Sequence, residues 1–267
     1  MIKLYEKNEK SYNTIMNMLY KKYFIIRKGD FGTDGNKKLY YTIFSLLLCL
    51  DDYCTNNSID CLKIMMGSTF IWTMIELILH YSKTRIMKPM YFTDWRKNKY
   101  LISRLGSIIL QGSQEGGVVT TFGLYFGDRL CSLKHVLYLH IFIGYMILNM
   151  NIKQNISKIA SKREINNKGS LITMGSITWY NMYKLYLYPS HLIRQLQLLF
   201  VMVYVCSIWT YIAYKKGFRE VESDHMINGE HIIEKKNIIN TFLVLGYDVL
   251  FEIGIAYLTF YNWFILQ

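Results

Sequence analysis

The chain has 267 residues, 52% hydrophobic and 16% aromatic, with 2 prolines and a mean hydropathy of +0.12. That composition excludes a disordered, collagen-like or disulfide-stapled secreted chain. Lys+Arg outnumber Asp+Glu by 31 to 19, and a net charge of +12 suits nucleic acid, an anionic membrane surface or loops retained in the cytoplasm. Where the charges fall along the chain favours the last.

Residues 1–38 are polar and basic, and they lack the apolar core and small-residue site of a cleaved signal. Within them, Tyr12–Ile26 fits a basic amphipathic helix lying on the inner leaflet. Seven apolar runs follow, near 39–54, 61–81, 100–126, 133–150, 171–188, 195–214 and 241–266. Crossing the hydrocarbon takes about 20 mainly apolar residues, so the first run is short unless it recruits Gly35–Lys38, whose lysines would then snorkel, or Asp51–Cys54. The predicted architecture is therefore an all-α, polytopic membrane bundle over 39–267 with about seven spans.

Loop charge gives an independent test, because Lys and Arg resist translocation. The first 38 residues hold nine Lys and Arg, Ser82–Lys99 holds six, and Asn151–Ser170 and Lys215–Asn240 hold five each. The alternate connections hold almost none: Asp51–Asp60 has no Lys or Arg, Gly127–Ser132 has only Arg129, and Pro189–Arg194 has only Arg194. This alternation places the N-terminus in the cytoplasm and the C-terminus outside. In the first outer loop Asn56-Asn57-Ser58 is a glycosylation acceptor, and Cys54 or Cys61 is a possible disulfide partner for Cys131.

Ionisable groups inside a span are costly, so they mark sites or partners. Glu76 and His80 stand four apart on the second span, and Asp248 and Glu252 stand four apart on the seventh. On the third, Arg104, Ser107, Gln111, Gln114 and Glu115 form a polar stripe. By depth, Glu115 and Glu252 are expected to meet near the midplane, with Glu76, His80, Arg104 and Asp248 clustered in the inner half; an ion pair of Arg104 with Glu76 or Asp248 would lower its cost. Lys184 and His140 are the remaining intramembrane titratable groups. The glycine-rich stretch Gln111–Gly117 fits a discontinuous helix lining a site, or close packing alone.

Several classes fall away. The last run has no lysine for a retinal Schiff base, the histidines form no desaturase-type boxes, and nucleophile elbows, P-loops and dinucleotide fingerprints are absent. A nucleic-acid partner is not indicated: Gly217–Lys236 balances its basic residues with acidic ones and reads as a solvated loop. Three functions fit the rest. A proton- or cation-linked carrier would use Glu115 and Glu252 as its site, with Asp248 and Glu76 continuing toward the cytoplasm; His80, Arg104, Gln111 and Gln114 complete the candidate binding residues. A lipid-modifying enzyme would use Glu76, His80 and Asp248 near the inner headgroups, on a lipid-like ligand. An assembly subunit would keep the polar groups to fix helix register. No metal site or cofactor is indicated, and the lipid bilayer is the expected partner.

Overall fold

The computed structural model describes residues 21–28, 34–82, 89–149, 159–227, 230–235 and 238–266. They are mostly helical, with seven helices. Helix α1 (Gly35–Asn56) starts where Asp34 accepts a hydrogen bond from the Lys37 amide, and stops at Asn57 in the left-handed region, with φ 51°. Helix α2 (Asp60–Tyr81) runs back beside it. Helix α3 spans 104–127 and is capped by Ser103; α4 is Leu133–Asn149, and α5 is Lys168–Leu187, capped by Asn167. A 3-10 turn at Pro189–His191 leads into α6 (Leu192–Lys215), and α7 spans 238–264. The seven helices coincide closely with the seven apolar runs. Three of them, at Asp60–Tyr81, Pro189–Lys215 and Thr241–Phe264, are long and apolar enough to cross a membrane.

The structure departs from an all-α fold. Strand β1 (Lys22–Lys28) pairs antiparallel with β4 (Ile159–Glu164) on one side and β5 (Arg219–Ile227) on the other, and β6 (Glu230–Lys235) pairs with β5. A hairpin of β2 (Tyr91–Thr93) and β3 (Lys99–Leu101) joins α2 to α3, and the Asn36 side chain bonds both the amide and the carbonyl of Thr93. Lys22–Ile26, read as the end of an amphipathic helix, is thus part of a central strand, and the remainder of that segment lies outside the described residues. Gly217–Lys236 is likewise not a solvated loop. Residues 219–227 form β5, whose Arg219, Val221 and Ser223 alternate inward, and β6 completes the hairpin. Ile25, Val221, Ile165, Val244 and Leu245 form a small apolar core between the sheet and α7.

The sheet gathers three of the four basic segments at one end of the helices. The opposite end carries the short turns between α1 and α2, α3 and α4, and α5 and α6, with the end of α7 beside them. Between the ends, α3 is the central helix, and its glycines serve two neighbours. A Cβ on Gly112 would stand 2.7 Å from the Thr73 amide nitrogen of α2, and Gly116 and Gly117 also face α2. A Cβ on Gly127 would stand 3.0 Å from the Leu198 nitrogen of α6, with Gly123 against Met202. Helix α2 meets α7 through the Trp72 and Tyr257 rings, 5.4 Å apart.

Candidate functional site

Two helices change pitch where their polar residues sit. The middle of α3, Ser113–Val118, and of α7, Asp248–Ile255, are π-helical, flanked by regular α-helix on both sides. The glycine-rich stretch is therefore continuous helix, not a break. A π segment rotates the side chains after it relative to those before it and alters the backbone pairing, and such segments recur at functional sites. In α7 the carbonyl of Ile255, the last residue of the segment, accepts from Asn181 of α5 at 2.8 Å, and Asn181 in turn accepts from Asn262 at 2.7 Å.

The π segment of α3 faces α1 and α2. Glu115 accepts from Trp72 Nε1 at 2.8 Å and from Gln111 Nε2. The Gln111 carbonyl oxygen accepts from Lys38 Nζ at 2.6 Å. Lys38 is 6% exposed, so this lysine turns inward instead of snorkelling. Next to this group the Thr42 and Ser113 hydroxyls share a 2.8 Å hydrogen bond, and the Ser68 and Thr120 hydroxyls share another of 2.8 Å. Further toward the turns come Ser45, Cys49, Cys61 and Asp52, all buried. The line ends at Arg129, which donates to Asp52 Oδ1 at 2.7 Å with its guanidinium 3.9 Å from the centre of the Tyr125 ring. Tyr125 donates to Asp51 at 2.5 Å. Buried polar side chains thus line the α1–α2–α3 interface from one end of the helices to the other.

A second cluster docks the sheet on α7. Arg163 of β4 and Arg219 of β5 sit on the helix-facing side of the sheet, in register with Ile25 and Arg27 of β1. Arg219 donates to Asp248 Oδ2 at 2.7 Å and to Thr210 at 3.1 Å, while Arg163 donates to Asp248 Oδ1 at 2.9 Å and also to Glu252. Burial pulls the Arg219 guanidinium pKa down, against the Asp248 carboxylate, which favours its charged form. Beside this cluster an apolar cavity of about 210 Å³ opens between Tyr23, Leu171, Leu243 and Tyr247.

A third cluster ties the turns together. Arg194 clasps Asp128 with two hydrogen bonds of 2.8 and 2.7 Å and reaches Asp60 at 2.6 Å. His191 bonds the Tyr261 hydroxyl at 2.7 Å.

No known protein family, curated protein or solved structure matches the chain. Its chemistry must be read from the geometry alone.

The expected site residues are divided among these clusters. Gln111 and Glu115 belong to the α1–α2–α3 seam, and Asp248 and Glu252 to the sheet junction, so the two carboxylates expected to meet have separate partners. Glu76 is fully buried on α2. His80 packs against the Tyr81 ring. Arg104 is exposed at the first turn of α3, so neither the expected inner cluster nor its ion pair forms around it, and Gln114 is half-buried. His140 bonds Tyr204 of α6 at 3.0 Å, and Lys184 lies over the rings of Tyr180 and Tyr188. The five cysteines are free thiols. Among the described residues, no three His, Cys, Asp or Glu side chains converge on a metal position.

Sequence reasoning missed Lys38, Arg163, Arg219 and the Asp52–Arg129 pair. Lys38 reads as a snorkelling lysine, and Arg163 and Arg219 read as loop charge. Arg129 stands out only as the lone basic residue of its loop, which does not tell a buried side chain from a wet one.

Proposed function

We propose that the chain is an integral membrane protein of seven transmembrane helices that carries protons or a small cation along the α1–α2–α3 seam, with the sheet on the cytoplasmic face. The observation that carries this reading is the series of buried and half-buried polar side chains between Lys38 and Arg129. Burying so many polar groups is costly unless they pair with one another or serve a path. The outer surface supports membrane insertion. Leu47, Phe70, Ile78, Ile141, Ile172 and Phe200 all stand exposed on the helices, which is the pattern of a lipid-facing belt and not of a water-facing one. Strongly exposed Trp95, Trp179, Tyr81 and Tyr186 suit the interfaces.

Gln111 supplies the coupling. Its carbonyl accepts from Lys38 while its amide donates to Glu115, so it senses the charge state of both. A proton arriving on Glu115 turns one carboxylate oxygen into a donor, which disfavours the facing Gln111 N–H. The amide then turns its carbonyl toward Glu115 and gives up its hydrogen bond from Lys38. Proton uptake at Glu115 is thereby felt at Lys38 through Gln111.

Reconstitution into liposomes with a trapped pH dye tests this reading. Wild-type protein should dissipate an imposed pH gradient, and Glu115→Gln, which keeps the shape but cannot ionise, should abolish the flux while the protein stays monodisperse. Undiminished flux in a folded Glu115→Gln variant overturns the reading.

A further inference from the structure

At the turn end of the seam, three sulfur-bearing side chains are buried in one core cluster. Cys49 of α1 donates its thiol to the thioether of Met65 on α2, with the sulfurs 3.7 Å apart. Cys61 stands one helical turn before Met65, on the same face of α2. All three sulfur residues are almost inaccessible, Cys49 at 5%, Cys61 at 1% and Met65 at 3% exposed. We propose that Cys49, Cys61 and Met65 form a binding site for a soft monovalent metal ion, copper(I) or its redox-inert analogue silver(I).

The donor chemistry selects the ion. Thiolate and thioether ligands are soft and favour copper(I), whereas oxygen donors suit harder ions. Structural zinc takes four ligands from Cys, His and carboxylates, a set this pocket does not supply. Charge makes the same choice. Loading one monovalent cation onto one thiol releases one proton to solvent and leaves a neutral thiolate–metal unit, with no change of oxidation state. A divalent ion held the same way would leave a net charge in an apolar surround, at a high desolvation cost.

Access is short, because Cys61 is the second residue of α2, directly below the turn that follows Asn57. Above it, Asp52 is paired with Arg129 at 2.7 Å. The two exposed cysteines, Cys54 and Cys131, are not part of this set. Copper retention is independent of whether the protein moves protons, so this inference and the proposed carrier function fail separately.

The test uses full-length protein in detergent under anaerobic, reducing conditions, with copper(I) presented as its bicinchoninate complex. Wild-type and Cys54→Ser/Cys131→Ser proteins should each withdraw one copper per chain from the chelator. Cys49→Ser and Cys61→Ser should withdraw none, Met65→Leu should bind at least tenfold more weakly, and zinc should not compete. Failure of the wild type to withdraw copper, full retention by a Cys49→Ser/Cys61→Ser double variant, or equal competition by zinc overturns the proposal. Should the double variant aggregate, X-ray absorption on copper-loaded Cys54→Ser/Cys131→Ser protein decides: a shell of sulfur alone upholds the site, and a nitrogen or oxygen shell overturns it.

Discussion

Asp52 and Arg129 are each nearly inaccessible, at 2% and 8% exposure of their side chains, so neither can lose its partner without leaving a charge stranded. Removing one member of a buried pair typically costs about 3–5 kcal/mol, while replacing both with apolar groups of similar size is close to neutral. Arg129→Met alone should therefore destabilise the protein by about that amount, and Asp52→Leu/Arg129→Met should recover most of it. Thermal or denaturant unfolding in detergent would show this as a large coupling energy in the double-mutant cycle; additive losses would show that the pair is solvated. Glycine gives a second residue-scale contrast. An alanine at Gly112 would press on the Thr73 backbone, whereas at Gly144 nothing lies within 4 Å. Gly112→Ala should cost about 1–3 kcal/mol by forcing α2 and α3 apart, and Gly144→Ala should be neutral or stabilising by up to about 1 kcal/mol through helix propensity. The same unfolding measurement separates them. The close approach at Gly112 was legible beforehand, since small residues four apart in an apolar run signal helix contact. Arg129 was not, because a single Asp-Arg pair at a helix exit has the same sequence whether it is buried or wet.

At the scale of elements, the helices were legible and the strands were not. A span announces itself by 20 or so apolar residues, and the helices fall within a few residues of those runs. Strands β1 and β5 are rich enough in charged residues to pass for polar loops, and the two pair with each other across about 190 residues of sequence. The π-helical pitch of α3 and α7 was equally hidden, because it adds no residue type of its own. The β2–β3 hairpin is small but has a titration of its own. Desolvation alone would raise the Asp94 carboxyl, but hydrogen bonds from the Asn98 side chain and amide and from the Tyr100 hydroxyl outweigh it and hold the pKa below the usual carboxylate value. A carboxylate depressed in the folded state contributes stability above its unfolded pKa and loses it as pH falls through the folded one. The turn should therefore stay intact at neutral pH and loosen in acid. Amide shifts of Asn98 followed by NMR should move together with the Asp94 titration, in Asp94→Asn not at all; an Asn98 shift that persists in Asp94→Asn would reject this account.

For the whole molecule, the question is which way it sits across the bilayer. The sheet gathers Lys22, Arg27, Lys28, Lys162, Arg163, Arg219 and Lys235 at one end, and the acidic turns around Asp51, Asp60 and Asp128 lie at the other, each clasped by an arginine or tyrosine. On the proposed membrane insertion, retention of positive charge in the cytoplasm would put the sheet inside. The native exposed thiols Cys54 and Cys131 then face outward, and a thiol introduced by Lys99→Cys in the β2–β3 hairpin faces inward. In intact cells a membrane-impermeant maleimide should modify Cys54 and Cys131 at once. A Lys99→Cys variant lacking those two cysteines should react only after the membrane is opened. Labelling of both sets from the same compartment would mean that the helices between them do not cross, and the reverse order would invert the whole assignment, moving the Asp52–Arg129 pair and the sulfur pocket to the cytoplasmic side.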